Sequence, residues 1–222
     1  MNELPRIVVW DVPTRIFHWV LVALIALQFA SGEFGWLPMK WHYWLGYTTL
    51  ALIVFRVLWG FLGSQTSRFT DFVRSPRAAM RYALDAVRAR ESPSPGHNPL
   101  GGWSVLLLLA SVALQAISGL FASDDISEEG PLVAHVSEAT VKLMTRIHHL
   151  NRYALLLLIA LHIGAIALHY VVRNENLVAP MLHGRAHVHP ARPLRFVSSW
   201  RALVLFALSA SAVWALVTWA SR

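Results

Sequence analysis

The sequence predicts an all-α integral membrane protein, a helical bundle with a four-helix core and a fifth, C-terminal transmembrane helix. Hydrophobic residues make up 56% of the 222 residues and charged residues only 14%, against about 25% charged in an average soluble domain. The chain holds five apolar runs long enough to cross about 30 Å of hydrocarbon, and none has an Asp or Glu in its interior. A soluble protein of this composition would expose large apolar patches, so we expect the runs to lie in membrane lipid.

The five spans are predicted at about residues 16–31, 42–62, 103–122, 147–172 and 200–220. The first follows MNELPRIVVWDVPTR, which differs from the short basic leader of a cleaved signal peptide, so it is predicted to be retained as a span. Between spans two and three, the pattern of residues 76–90 is typical of an amphipathic helix on the membrane surface. We expect two parts: a core domain, residues 1–187, and an extension, residues 188–222, with the fifth span.

Lysine and arginine are divided unequally between the two sides of the predicted bundle. The N-terminal segment and the loops after spans two and four carry thirteen, and the opposite side carries four. The positive-inside rule then places the N-terminus in the cytoplasm and the C-terminus outside. Topology and anionic lipid explain the net charge of +7, so no nucleic-acid partner is expected. The opposite side also collects the acidic residues Asp124, Asp125, Glu128, Glu129 and Glu138.

Four of the histidines inside the spans are sorted by this topology into two depths. His18 lies near the cytoplasmic end of span one, and His42 lies at the outer end of span two. His148 and His162 are fourteen residues apart on span four, about 21 Å along the axis and within about 40° of one direction. Because span four runs inward from the outside, His42 pairs with His148 at the upper level and His18 with His162 at the lower level.

Two histidine pairs stacked across a membrane are what two haems b require, since haem iron takes axial imidazoles from facing helices of a bundle. With both axial positions filled, electron transfer is favoured over oxygen binding. The chain has no cysteine, which excludes covalently attached haem and thiolate-bound clusters. The alternatives are histidines with structural hydrogen bonds and a metal or proton transporter. The absence of carboxylates from the spans argues against transport.

Five stretches carry a resemblance to a known family. They are VWDVPTRIFHW (9–19), FRVLWGFLGSQTSRFTDFVRSP (55–76), GHNPLGGWSVLLLL (96–109), HHLNRYALLLLIALHIGAI (148–166) and NENLVAPMLHGR (174–185). In these stretches the chain resembles the bacterial di-haem cytochromes grouped as cytochrome b561 and the b-type cytochrome subunits of Ni,Fe-hydrogenases. Formate dehydrogenase gamma subunits are more distant relatives. The fifth span lies beyond most of the resemblance.

The resemblance implies two non-covalent haems b with axial ligands His18, His42, His148 and His162, the same set that the depth argument selects. Family members often have Glu where this chain has His149, so His148 and His149 both remain candidates for the upper ligand. The spacing to His162 favours His148.

The resemblance also implies electron transfer between a periplasmic partner and membrane quinone nearer the cytoplasm. The partner would be a c-type cytochrome or a hydrogenase or dehydrogenase subunit. The sequence leaves open whether the chain is itself a quinone oxidoreductase or an anchor subunit without independent activity. The acidic segment SDDISEEG is a candidate docking site for a basic cytochrome c; the alternative is an ordinary solvated loop.

Arg56 and Arg152 are basic residues within the spans. An unpaired buried arginine is costly, so we expect both to bind haem propionates. The alternative is that each side chain reaches the nearest lipid headgroups.

Overall fold

A computed structural model describes residues 5–87, 96–187 and 193–222. Over these residues the chain forms eight α-helices and one two-stranded antiparallel sheet. In chain order the elements are β1 (Arg6–Val8), α1 (Val12–Gly32), α2 (Met39–Leu62), α3 (Phe69–Phe72), α4 (Pro76–Val87), α5 (Pro99–Gly119), α6 (Glu138–Arg173), α7 (Val178–His183), β2 (Arg185–His187) and α8 (Ser199–Ala220), with 3-10 turns at Gln65–Ser67 and Val133–His135.

Five helices, α1, α2, α5, α6 and α8, are long and apolar enough to cross a membrane, which confirms the predicted all-α membrane bundle. Several begin before the apolar runs because polar caps start them. The Asp11 side chain accepts a hydrogen bond from the Thr14 amide at 2.8 Å, and Asn98 accepts one from the Gly101 amide at 2.7 Å. Helix α6, with 36 residues, is about 54 Å long and therefore exceeds the roughly 30 Å hydrocarbon layer.

Helix α2 is central to the packing: α1, α5 and α8 all contact it, and α6 packs mainly on α5. The fifth spanning helix, α8, lies along α2. Trp214 of α8 stacks on Trp44 with ring centres 5.7 Å apart, and Phe206 meets Phe55 edge-on at 6.0 Å. Aromatic contacts of this kind stabilise a pair of helices beyond the area they bury. The division into a core domain and an extension stays a prediction.

The N-terminus and the loops after α2 and α6 meet at one end of the bundle, the lower end. Strands β1 and β2 pair there with Ile7 opposite Ala186, and the Gln65 amide donates to the Arg195 carbonyl at 2.9 Å. The other end, the upper end, holds the α1–α2 and α5–α6 connections. The count of lysine and arginine in the sequence analysis groups the N-terminal segment and the loops in the same way. The assignment of the lower end to the cytoplasm stays a prediction.

Helix α4 lies against α5 at the lower end and is amphipathic. Its apolar residues Met80 and Leu84 are 64% and 52% exposed, and Arg77 and Arg81 are exposed as well. This pattern is that of a helix in the membrane interface. The last residues of the predicted helix, 88–90, lie outside the described residues.

Candidate cofactor sites between the helices

The structure brings the four predicted histidines together as two facing pairs. At the upper level, the ring centres of His42 on α2 and His148 on α6 are 6.3 Å apart. At the lower level, those of His18 on α1 and His162 on α6 are 6.5 Å apart. Both pairs join helices that are distant in sequence, so the facing arrangement is a property of the tertiary fold.

These separations match two imidazoles bound to one metal ion. A histidine nitrogen binds a metal such as zinc at about 2.0 Å, and that nitrogen lies about 1.2 Å from the centre of its ring. Two rings on opposite sides of one ion therefore have centres about 6.4 Å apart. Both observed values are within 0.1 Å of this distance. The donor set, paired neutral imidazoles in an apolar bundle, also suits haem iron. The residues present therefore fit the group that the sequence implies.

A cavity of about 230 Å³ surrounds the upper pair, far larger than the roughly 30 Å³ that one water molecule takes up. It is lined by residues of α1, α2, α5 and α6, among them Gln28, Gly32, His42, Gln115, Gly119 and His148. Because protein interiors are otherwise close-packed, this cavity leaves space for a bound group between the four helices.

In the upper pair the structure turns His148, and not its neighbour His149, towards His42. The His148 Nδ1 lies 3.0 Å from the Gln115 carbonyl oxygen, which can only accept a hydrogen bond, so Nδ1 carries the proton. The other nitrogen, Nε2, then has a free lone pair for a metal. His149 also lines the cavity, with its ring at 82° to that of His148.

Arg56 lies near the lower pair and is only 2% exposed. Its guanidinium sits between two aromatic rings, 5.8 Å from the centre of Phe17 and 5.1 Å from that of Phe69. The Nη1 atom is buried without a hydrogen-bond partner, and no carboxylate of the described residues lies within ion-pair distance. Arg56 is therefore too deeply buried to reach the lipid headgroups. The Asp11 carboxylate acts on its charge from beyond ion-pair distance, and a buried charge without an ion pair is costly.

Arg152 lines the upper cavity. It forms an ion pair with Glu33 of the α1–α2 connection and donates to the Tyr153 hydroxyl at 2.7 Å. Its Nε atom is buried without a partner in the part of the chain that the structure describes. Sequence reasoning missed Glu33, because nothing in the sequence relates it to a residue 119 positions away.

His97 is a lower-end residue that the sequence analysis did not select, although its GHNP segment precedes α5. Its ring contacts Trp10 at 4.7 Å and Phe72 at 4.6 Å. Burial, followed by the charge of Arg56, lowers the pKa of His97 to about 3, so the imidazole is neutral at physiological pH. Its buried Nδ1 has no partner among the described residues.

The acidic upper loop is an ordered turn in which some of the carboxylates accept hydrogen bonds from other groups of the protein. One Asp124 oxygen accepts backbone hydrogen bonds from Ile126, Ser127 and Glu128, each at 2.9 Å. The Tyr43 hydroxyl donates to Glu128 at 2.9 Å. Asp125 and Glu129 are exposed and have none of these contacts, so they are the carboxylates best placed to meet a partner.

A membrane bundle that faces histidines across its interior at two depths has the architecture of a membrane b-type cytochrome. The family model of prokaryotic cytochrome b561 matches residues 9–184. The chain therefore belongs to the prokaryotic cytochrome b561 family, as its sequence motifs predict. Membership implies binding of b-type haem and is consistent with electron transfer across a membrane. Searches among curated proteins and among solved structures gave no match.

Proposed function

We propose that this protein transfers electrons across the bacterial inner membrane by means of two haems b, between membrane quinone and a periplasmic partner such as a c-type cytochrome. His42 and His148 would hold the upper haem, and His18 and His162 the lower one. The observation that supports this most directly is the separation of the two ring pairs, 6.3 and 6.5 Å. Each bound haem supplies one-electron redox chemistry at its iron.

The histidines limit the chemistry of both sites. Two histidines would hold each haem iron and would leave no coordination position there for oxygen or substrate. Apolar helices around the pairs would limit the access of water. At the upper level, hydrogen bonds to Nδ1 of His42 and of His148 hold the two rings in position. Such sites favour electron transfer over bond-making chemistry.

Two basic residues would balance the charge of the haem carboxylates. Arg56, whose Nη1 is buried without a hydrogen-bond partner among the described residues, would pair with carboxylates at the lower level. Arg152 would do so at the upper level through its unpartnered Nε. The lower end is also where we place quinone, since His97 Nδ1 and Thr66 Oγ1 are buried polar atoms without partners there and could bind its oxygens.

Reconstitution in sealed vesicles tests the proposed function. With ascorbate inside and ferricyanide outside, we expect the haem-loaded chain to reduce external ferricyanide much faster than protein-free vesicles do. His42→Ala should bring the rate close to that of the protein-free vesicles, because it removes an upper ligand. A wild-type chain that carries haem at both levels but gives no rate above the protein-free value would contradict transmembrane transfer.

Neutralising the exposed upper-loop carboxylates should slow electron exchange with a basic cytochrome c. For Asp125→Asn/Glu129→Gln we expect a rate reduced by about threefold to tenfold at low salt, and a smaller difference near 0.15 M, where the Debye length is about 8 Å. Stopped-flow measurement over a range of ionic strength checks this. The matched control, Asp71→Asn/Asp85→Asn, makes the same charge change at the lower end and should have no effect. Equal salt dependence in both variants would exclude docking at this loop.

A further inference from the structure

The upper ends of α1 and α5 carry the same five-residue pattern, Gln-x-x-Ser-Gly. It reads QFASG at residues 28–32 and QAISG at residues 115–119. In each copy the glycine is the last residue of its helix. Each copy contacts one histidine of the upper pair, the first copy His42 and the second His148.

The second copy makes several hydrogen bonds to α6. His148 Nδ1 donates to the Gln115 carbonyl at 3.0 Å and lies 3.3 Å from Ser118 Oγ. The Ser118 hydroxyl donates to the Leu114 carbonyl of its own helix at 2.6 Å, so its oxygen is left to accept from Nδ1. The Gln115 side chain completes the contact, since its Nε2 donates to the His148 carbonyl at 3.0 Å.

The first copy repeats the serine contact at His42. The Ser31 hydroxyl donates to carbonyls of its own helix, Leu27 at 2.9 Å and Gln28 at 3.0 Å. Its oxygen lies 3.0 Å from His42 Nδ1 and is free to accept from it. Both histidines of the pair are therefore held as the Nδ1–H form.

The glycines allow each ring to lie against the helix end. A Cβ at Gly32 would be 2.7 Å from His42 Cε1, and one at Gly119 would be 2.9 Å from His148 Cε1. Both distances are shorter than normal carbon contacts, so a side chain at either position would displace the ring.

We infer that the two Gln-x-x-Ser-Gly segments are positioning elements for the upper metal site, an inference that rests on the proposed function. Each segment fixes the Nδ1–H tautomer of one histidine and directs its Nε2 towards the iron. Hydrogen bonding at Nδ1 raises the basicity of a histidine ligand, and a more basic ligand stabilises the oxidised iron. The segments therefore lower the midpoint potential of the upper site.

The lower pair provides a contrast within the same molecule. His18 Nδ1 is buried and has no hydrogen-bond partner among the described residues. The positioning is accordingly specific to the upper level, and changes in the two segments should alter one of the two redox components only.

Potentiometric titration of the haem-loaded, full-length protein tests the serines. At a fixed potential we expect Ser31→Ala or Ser118→Ala to raise the reduced-to-oxidised ratio of the upper component by about threefold. The double variant should raise this ratio by about tenfold, which for one electron is a shift of about 59 mV in midpoint potential. His148→Ala identifies the upper component by its loss. Ser209→Ala is the matched control, because Ser209 also donates to a carbonyl of its own helix, at 2.8 Å, but contacts neither histidine.

A second pair of variants tests the glycines through haem content. Gly119→Ala should weaken haem binding at the upper level by about 10- to 100-fold, whereas Gly164→Ala, where a Cβ meets nothing within 4 Å, should leave the upper component as in the wild type. Two haems in the wild type with an upper potential unmoved by the serine variants would overturn the positioning role and leave the proposed function intact. A wild type without haem would overturn both.

Discussion

Replacing His148 by alanine is expected to lower the haem b content from about two per chain to about one, and replacing His149 is expected to leave it unchanged. The structure turns the ring of His148 towards His42 with centres 6.3 Å apart, while His149 lies beside that pair. Without His148 the upper haem would lose one of its two proposed histidine ligands and the hydrogen bonds that hold that side chain in place. Pyridine haemochrome quantitation of the purified variants measures the change.

His18→Ala extends this experiment to the lower level. It should also leave about one haem per chain, with a difference spectrum unlike that of His148→Ala, and the double variant should contain none. Because the two variants remove different sites, their spectra should add up to that of the wild type. Loss of a haem in His149→Ala, with full content in His148→Ala, would show that the upper ligand is His149.

Replacing Arg56 by methionine is expected to remove most of the lower haem. Arg56 is 2% exposed and packs between Phe17 and Phe69, so carboxylates bound there would be deprived of their buried cationic partner. Breaking a buried ion pair in this way costs about 3–5 kcal/mol, or roughly a 150- to 5,000-fold loss of affinity. Haem content and spectra at several haem concentrations measure the effect.

Two further variants define the role of this charge. Arg56→Lys keeps the positive charge and should retain more lower haem than Arg56→Met. Arg201→Met removes an exposed arginine on α8 and should have no effect. In chain prepared without haem, Arg56→Met should raise the thermal unfolding midpoint, because it removes a buried charge that forms no ion pair among the described residues. Full lower-haem content in Arg56→Met would exclude a role for Arg56 in binding.

Local patterns of residues were sufficient to predict the bundle and the histidine pairs. The length and composition of an apolar run depend only on neighbouring residues, so the five spans could be read directly. Loop charge then orders the spans up and down, and this order alone relates His18 to His162 and His42 to His148. The structure does bring these rings together.

The tertiary structure decided the surroundings of those rings. Arg152 meets Glu33 across 119 residues, and β1 meets β2 across the whole four-helix core; no local pattern encodes such distances. The Gln-x-x-Ser-Gly repeat was visible in the sequence, but its relation to His42 and His148 required the packing of α1 on α2 and of α5 on α6. Chain chemistry thus determines which residues enter the membrane and at what depth, while helix packing determines which of them touch.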